Sequence, residues 1–416
     1  MATEKIAFAM VGLPARGKTY MARKIARYLA WLGHDTRVFN VGSYRRNRIG
    51  ARQTHEFFDP ENPSGAEARR QLALAALDDM LGWLRAGGEV AIYDATNSSR
   101  ARRDLLRAAC AEHGVELVFV ESVCDDASIV DANVRLTKAR SPDYADVDAD
   151  TAVRDFVARI HHYAQSYQTV SDDEGAYVRV IDVGRKVEAH RIRGTIAARV
   201  VYFLLHLHIQ PRSFWLTRHG ESEANVLGAI GGDTGLSLRG QSYADALADF
   251  VHTRIAPNGA PLVVWTSTLQ RTITTAASLG LPTTRWKALD EIDAGRCDGM
   301  TYAEIAAQMP EEWAARQADK FRYRYPRGES YEDVITRLEP IILGLERERT
   351  PVLVVAHQAV IRALYAYLLD RPAAECPRID VPLHTVLELT PTAYGCDEKR
   401  WPLAPSPLDQ EGFRAV

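Results

Sequence analysis

Two short segments carry residues whose types and spacing suit phosphoryl chemistry. The first, GLPARGKT at 12–19, matches GxxxxGK[ST] and lies between an apolar, strand-like run and a helical stretch. Gly12 and Gly17 let the backbone wrap an anion, with successive N–H groups and a helix start facing it. Lys18 would reach the β- and γ-phosphates of a nucleotide such as ATP, and the Thr19 hydroxyl would hold Mg2+. The second is LTRHGES at 216–222. There His219 follows a strand-like run beside Arg218, and a neutral imidazole nitrogen can take a phosphoryl group directly.

An RHG triplet alone says little, because such a histidine is often a satisfied core group. Here it has company: His357 ends PVLVVAH, Arg271 follows the strand end at 266–267, and Glu291 sits in DEIDAG. Arg218, Arg271 and His357 would neutralise the equatorial oxygens of a transferring group. Glu291, protonated in a poorly solvated pocket, could protonate the leaving alkoxide. A metal held by the two histidines lacks a third convincing ligand, and the arginines would repel it.

In the first half, EVAIYDATN ends in Asp94. An acid at that strand end lies beside the phosphate loop, where it orients Mg2+ or an acceptor hydroxyl. Its blander reading is a turn or cap for the next helix. Basic groups follow: Arg45 and Arg46, Arg69 and Arg70, Arg102 and Arg103, Lys138, and Arg159 with Tyr163 on one helix face. Singly these read as solvated charges. Together they suggest a phosphorylated acceptor, since guanidinium forks match phosphate.

Elements must position these groups. Strand-like runs at 6–12, 36–41, 89–95, 116–123 and 178–184 alternate with helical stretches near 18–32, 65–86, 99–113, 126–139, 150–169 and 190–206. Such alternation implies βαβ units and a mostly parallel sheet. It restarts at SFWLTRHG, with strands at 261–267, 351–357 and 386–390 and helices near 237–254, 268–279, 301–308, 330–348 and 358–369. The expected class is α/β in two domains, 1–211 and 212–416, the second ending in a short loose tail. The length of 416 residues suits two or three domains, and 46% hydrophobic with 25% charged residues is ordinary soluble composition. A net charge of −3 argues against nucleic-acid or anionic-membrane binding. Five scattered cysteines without a CxxC pair fit reduced cytoplasmic thiols. The apolar run at 200–209 is about half a membrane span.

Longer segments carry a more specific signal: VGLPARGKTY, FNVGSYRR, EFFDPEN, DATNSSRARR, SPDYAD, LTRHGESEAN, EIDAGRCDGMTYAEI and DKFRYRYPRGESYEDV. Through them the chain, from about residue 6 to about 396, resembles the bifunctional 6-phosphofructo-2-kinase/fructose-2,6-bisphosphatase family. The resemblance implies a kinase half that binds ATP through Gly12, Gly17, Lys18 and Thr19, with Asn133 near the nucleotide and Asp94 on the metal and acceptor side. Fructose 6-phosphate would meet Arg69, Thr96, Arg102, Lys138, Arg159 and Tyr163, with Arg45 and Arg46 nearby. In a phosphatase half of the phosphoglycerate-mutase-like kind, His219 would be the phosphorylated histidine, Glu291 the acid and His357 the second histidine. Arg218, Asn225 and Arg271 would hold the 2-phosphate of fructose 2,6-bisphosphate. Tyr302, Arg316, Lys320, Arg324 and Gln358 would hold the sugar and its 6-phosphate. The resemblance also implies a cytoplasmic homodimer. Few residues precede the first strand or follow the last, so phosphorylation control by terminal extensions is not expected. Two other readings stay open: the same architecture acting on a different phosphorylated metabolite, and a non-catalytic regulatory homologue.

Overall fold

The computed structural model describes residues 5–138, 142–144, 147–207, 212–392 and 395–403, with the side chains of 136–138 and 142 set aside. The chain divides into two compact units, residues 1–209 and 210–416, each α/β.

The first unit is built on β1 (Ile6–Val11), β2 (Thr36–Asn40), β3 (Val90–Asp94), β4 (Glu116–Val123), β5 (Ala176–Ile181) and β6 (Lys186–His190). Their order is β2-β3-β1-β4-β5-β6, parallel except for β6, which pairs antiparallel with β5. β1 is buried along its whole length, as a central strand covered on both faces must be. The helices are α1 (Lys18–Trp31), α2 (Val41–Ile49), α3 (Pro63–Arg85), α4 (Arg100–Glu112), α5 (Ala127–Lys138), α6 (Ala149–Gln165) and α7 (Thr195–His206). Parallel pairing aligns the C-terminal ends of β1, β2, β3 and β4 on one edge, where ligands bind in open α/β sheets. The register sets Asn40 opposite Asp94.

The second unit contains β7 (Phe214–Arg218), β8 (Val263–Thr266), β9 (Thr283–Arg285), β10 (Val352–Ala356), β11 (Thr385–Pro391) and β12 (Cys396–Pro402), ordered β12-β11-β7-β10-β8-β9. β7, β10, β8 and β9 run parallel, while β11 opposes both β7 and β12. Its helices are α8 (Glu223–Leu227), α9 (Leu238–Phe250), α10 (Gln270–Ala277), α11 (Tyr302–Gln308), α12 (Pro310–Ala318), α13 (Tyr331–Arg347) and α14 (Gln358–Leu368).

The sequence reading omits β6, β9, β12, α2, α8 and α12, and it begins α7 at 190. Residues 186–190 form an edge strand instead, and α7 starts at Thr195 behind Gly194.

Candidate active sites

In the first unit the loop after β1 is fixed by tight contacts. Gly12 has φ of 133°, and a side chain there would meet the Ser122 carbonyl oxygen at 2.4 Å. Gly17, at φ 81°, caps α1. Asn133 donates Nδ2 to the Ala15 carbonyl at 3.2 Å, and the Gly12 N–H donates to the Thr96 carbonyl at 3.0 Å. Lys18 Nζ is buried and donates to the Leu13 carbonyl at 2.6 Å. Burial pulls its pKa down to about 7, opposed by the charge of Asp94.

Asp94 does not cap α4. It is buried at the end of β3, with Thr19 and Asn40 hydrogen-bonded to it. Burial raises its pKa, and those two bonds and Lys18 work against the rise. Among the described residues no group of three His, Cys, Asp or Glu could hold a metal ion. Thr19 and Asp94 nevertheless fit Mg2+, which takes hard oxygens and completes its shell with water and substrate phosphates.

The basic candidates sort into distinct environments. Arg45 donates Nη2 to Asp143 at 2.5 Å, and Arg46 and Arg159 lie 3.7 Å from the same carboxylate. Arg159 also covers the Phe58 ring at 3.6 Å. Arg69 donates to the Phe57 and Asp59 carbonyls and feels Tyr163, Arg102 and Arg159. Arg102 reaches Tyr93. Arg103, grouped by sequence with the acceptor-binding cations, is fully buried in a bidentate pair with Glu174 and also donates to the Asn97, Gln168 and Thr169 carbonyls. Its role is to hold the 97–98 turn, not to meet a ligand. Exposed Arg70 pairs with Glu67. The side chain of Lys138 lies outside the described residues.

In the second unit, sheet register makes the site. Ala356 pairs with Arg218, so His219 and His357 each stand one residue beyond adjacent strand ends, their rings 5.1 Å apart. His219 Nδ1–H donates to the Gly220 carbonyl at 2.7 Å, which leaves Nε2 with its lone pair. Arg271 Nε lies 3.2 Å from both His219 Nε2 and His357 Nδ1. With Nδ1 accepting, His357 carries its proton on Nε2, which donates to Ser267 Oγ at 2.8 Å. Burial first, then the neighbouring arginines, holds His219 well below its ordinary pKa. His357 is held low by burial, then by His219 and the arginines. Both are neutral at pH 7. Burial lowers the pKa of Arg218 to about 10.

Glu291 is fixed by backbone N–H groups. Its two oxygens accept the N–H groups of Ile292, Gln358 and Ala359 at 2.9–3.1 Å, the last two at the start of α14.

One open cavity joins His219 and its arginines to a second set of cations. Arg218, His219, Asn225, Arg271 and Glu291 line it, and so do Tyr302, Arg316, Lys320, Gln358 and Arg362. Arg316 bonds the hydroxyls of Tyr302 and Tyr325. Lys320 is pulled down to about 8 by burial, then by Arg316 and Arg362. Arg324 is not in the lining; it pairs with Asp333 at 2.5 Å, with 63% of its side chain exposed. In this structure its guanidinium is engaged by that carboxylate. Sequence reasoning missed Arg362 and Tyr331, which line the cavity and bond each other at 3.2 Å. Arg362 stands four residues after Gln358, one helical turn along the same face, and that spacing was the available signal.

A nucleotide loop with its acid on one sheet edge, and a buried neutral histidine pair with arginines on another, define a kinase joined to a histidine phosphatase. Residues 1–211 match the 6-phosphofructo-2-kinase family and residues 214–403 the histidine phosphatase superfamily (branch 1). A 6-phosphofructo-2-kinase/fructose-2,6-bisphosphatase of Arabidopsis thaliana is 50% identical over 404 residues, covering 96% of this chain and 54% of that protein. The human 6-phosphofructo-2-kinase/fructose-2,6-bisphosphatase 1 is 50% identical over 93% of this chain and 82% of its own length, and the Gallus gallus enzyme is 50% identical over 93% and 83%. The chain belongs to the bifunctional 6-phosphofructo-2-kinase/fructose-2,6-bisphosphatase family, and its kinase half belongs to an ATP-using class. Among the described residues no helix is long and apolar enough to cross a membrane.

Proposed function

We propose that the chain makes fructose 2,6-bisphosphate from ATP and fructose 6-phosphate, in a kinase domain of residues 1–211, and hydrolyses it in a phosphatase domain of residues 212–416. The observation that carries this reading is the single cavity with two cationic groups, one at His219 and one at Lys320. A monophosphate would leave the second group of cations without an anion.

In the kinase, the loop from Gly12 to Thr19 cradles the nucleotide and Lys18 bears on its terminal phosphates. Thr19 and Asp94 would hold Mg2+, which supplies charge neutralisation at the phosphates. Asp94 also orients the sugar 2-hydroxyl, and Arg45, Arg46, Arg69, Arg102 and Arg159 fix the 6-phosphate side with Thr96, Lys138 and Tyr163. Positioning and electrostatics supply most of the acceleration.

In the phosphatase, His219 Nε2 attacks the 2-phosphorus as the bond to the sugar O2 breaks. Arg218, Arg271 and Asn225 hold the transferring oxygens. Glu291 gives the leaving O2 a proton. It then accepts one from the water that attacks the phosphohistidine, releasing phosphate and restoring His219. The scattered cysteines, all free, accord with a cytoplasmic setting, and the resemblance extends the reading to a homodimer, tested by light scattering of the purified chain.

Incubation with ATP, Mg2+ and fructose 6-phosphate should yield an acid-labile bisphosphate that the same protein then consumes. Failure to form it from this acceptor would overturn the assignment.

A further inference from the structure

The proposed attack needs the His219 proton on Nδ1 and its lone pair on Nε2. The group that takes that proton is the Gly220 carbonyl, at 2.7 Å. The same peptide unit has a second edge. Its N–H, carried by Glu221, donates to His384 Nε2 at 3.2 Å. In a trans peptide the C=O and N–H point opposite ways, so two imidazoles grip one amide from its two sides. The Gly220 N–H is also engaged, by Thr275 Oγ1 at 2.9 Å. A side chain on Gly220 would strike the Gly240 carbonyl oxygen at 2.3 Å.

His384 is itself firmly held. It stands immediately before β11, which pairs with β7, the strand that delivers His219. It is buried, with a left-handed backbone at φ 56°. Its carbonyl accepts the Leu403 N–H at 2.9 Å, and its ring stacks on Tyr243 with centroids 4.7 Å apart. Tyr243 in turn bonds Thr217 on β7 at 2.5 Å.

We propose that His384 is a positioning residue of the phosphatase, fixing the Gly220–Glu221 peptide so that its carbonyl keeps the His219 proton on Nδ1. An amide whose N–H is bonded is a stronger acceptor at its carbonyl, and a peptide bonded at both edges resists tilting. The proposal rests on His219 being the nucleophile of the proposed bisphosphatase.

Two substitutions separate this role from packing. Asn tolerates a left-handed backbone, but its side chain is one bond too short to reach the Glu221 N–H. Gln reaches it with an oxygen acceptor, yet has no ring to lie on Tyr243. Phosphoenzyme formation, followed by rapid quench, should slow about 10-fold or more in His384→Asn and stay within about 3-fold of wild type in His384→Gln. The KM for fructose 2,6-bisphosphate should stay within about 2-fold in both. Nitrogen-15 NMR of the imidazoles, with the His219 signals assigned by their loss in His219→Ala, reads the tautomer directly. It should show Nδ1–H in the wild type and in His384→Gln, and a mixture with Nε2–H in His384→Asn. A wild-type rate or an unmixed tautomer in His384→Asn overturns the proposal. So does a His384→Gln as slow as His384→Asn, which would make ring packing the cause. A wild-type protein that takes no label from the bisphosphate would instead remove the nucleophile reading, and the tautomer spectra would still decide whether His384 sets the His219 proton.

Discussion

The two sites prepare for phosphate in opposite ways. In the kinase unit the cations are already engaged: Lys18 with the Leu13 carbonyl, Arg69 with two loop carbonyls, Arg45 with Asp143. In the phosphatase unit the two neutral imidazoles hold their protons on the outer nitrogens and turn their lone pairs toward one shared donor, Arg271 Nε. A site that binds several ligands in turn gains from internal partners, which keep its arginines from repelling one another until the anion arrives. A site that must attack needs its lone pair exposed and its proton elsewhere. Burial serves both ends, lowering Lys18 toward neutrality in one unit and the histidines in the other.

The comparison breaks most sharply if the two chemistries are not separable. Lys18→Ala should lower kinase turnover on the order of 10³-fold or more and spare the bisphosphatase, while His219→Ala should do the reverse. Substrate labelled at the 2-phosphate should leave acid-labile, base-stable label on the wild type and none on His219→Ala. Label retained there would shift the nucleophile to another group, His357 being the first to test.

A smaller effect tests how Glu291 works. Glu291→Gln keeps the shape but places an NH2 among the three N–H donors and cannot carry the proton. Formation of the phosphoenzyme, followed by rapid quench, should slow by roughly 10²–10⁴-fold. An unchanged rate would mean that the leaving oxygen takes its proton elsewhere.

Smaller again is the second cation group. Lys320→Ala should raise the KM for fructose 2,6-bisphosphate by about 10–100-fold, the worth of a charge-assisted bond. Arg324→Ala, already paired with Asp333 and exposed, should change it only about 2–5-fold. Equal losses would show that Arg324 leaves Asp333 when substrate binds.

The least effect is in pH. Lys320 is charged below about 8 in the free protein, and the bound phosphate favours the charged form. As pH rises through about 8 the free protein loses that proton, so the KM for the bisphosphate should climb, and Lys320→Arg should flatten the climb. Steady-state KM between pH 7 and pH 9 measures it.

Much of this was readable from residue order. Asp94, His219 and His357 sit at ends of apolar strands, and Lys18 and Thr19 open the helix after another, where a parallel sheet puts its chemistry, and the strands themselves announce their burial. The edges were harder to read. KVEAH in β6 and CDEKRWP in β12 are polar, as solvent-facing edge strands tend to be, and β9 is only three residues long. Among the site groups, Arg103 and Arg102 are neighbours in sequence, yet helical geometry sends one into the core against Glu174 and leaves the other near Tyr93. No spacing rule separates them, because the deciding partner is 71 positions away. Asp143 and Asn40 were passed over for a similar reason: each acts through a contact that only the folded chain creates.

The pairing of Ala356 with Arg218 also bears on how this half of the molecule can be re-engineered. The distance between the two histidines is written into a ladder of backbone hydrogen bonds, not into any loop. Segments that line the far side of the cavity, from Tyr302 to Tyr331, can therefore be exchanged for ones of other lengths to admit other phosphorylated compounds while the nucleophile keeps its place. Inserting one residue within β10 would do the opposite, turning His357 to the other face of the sheet and ending turnover with every site residue still present.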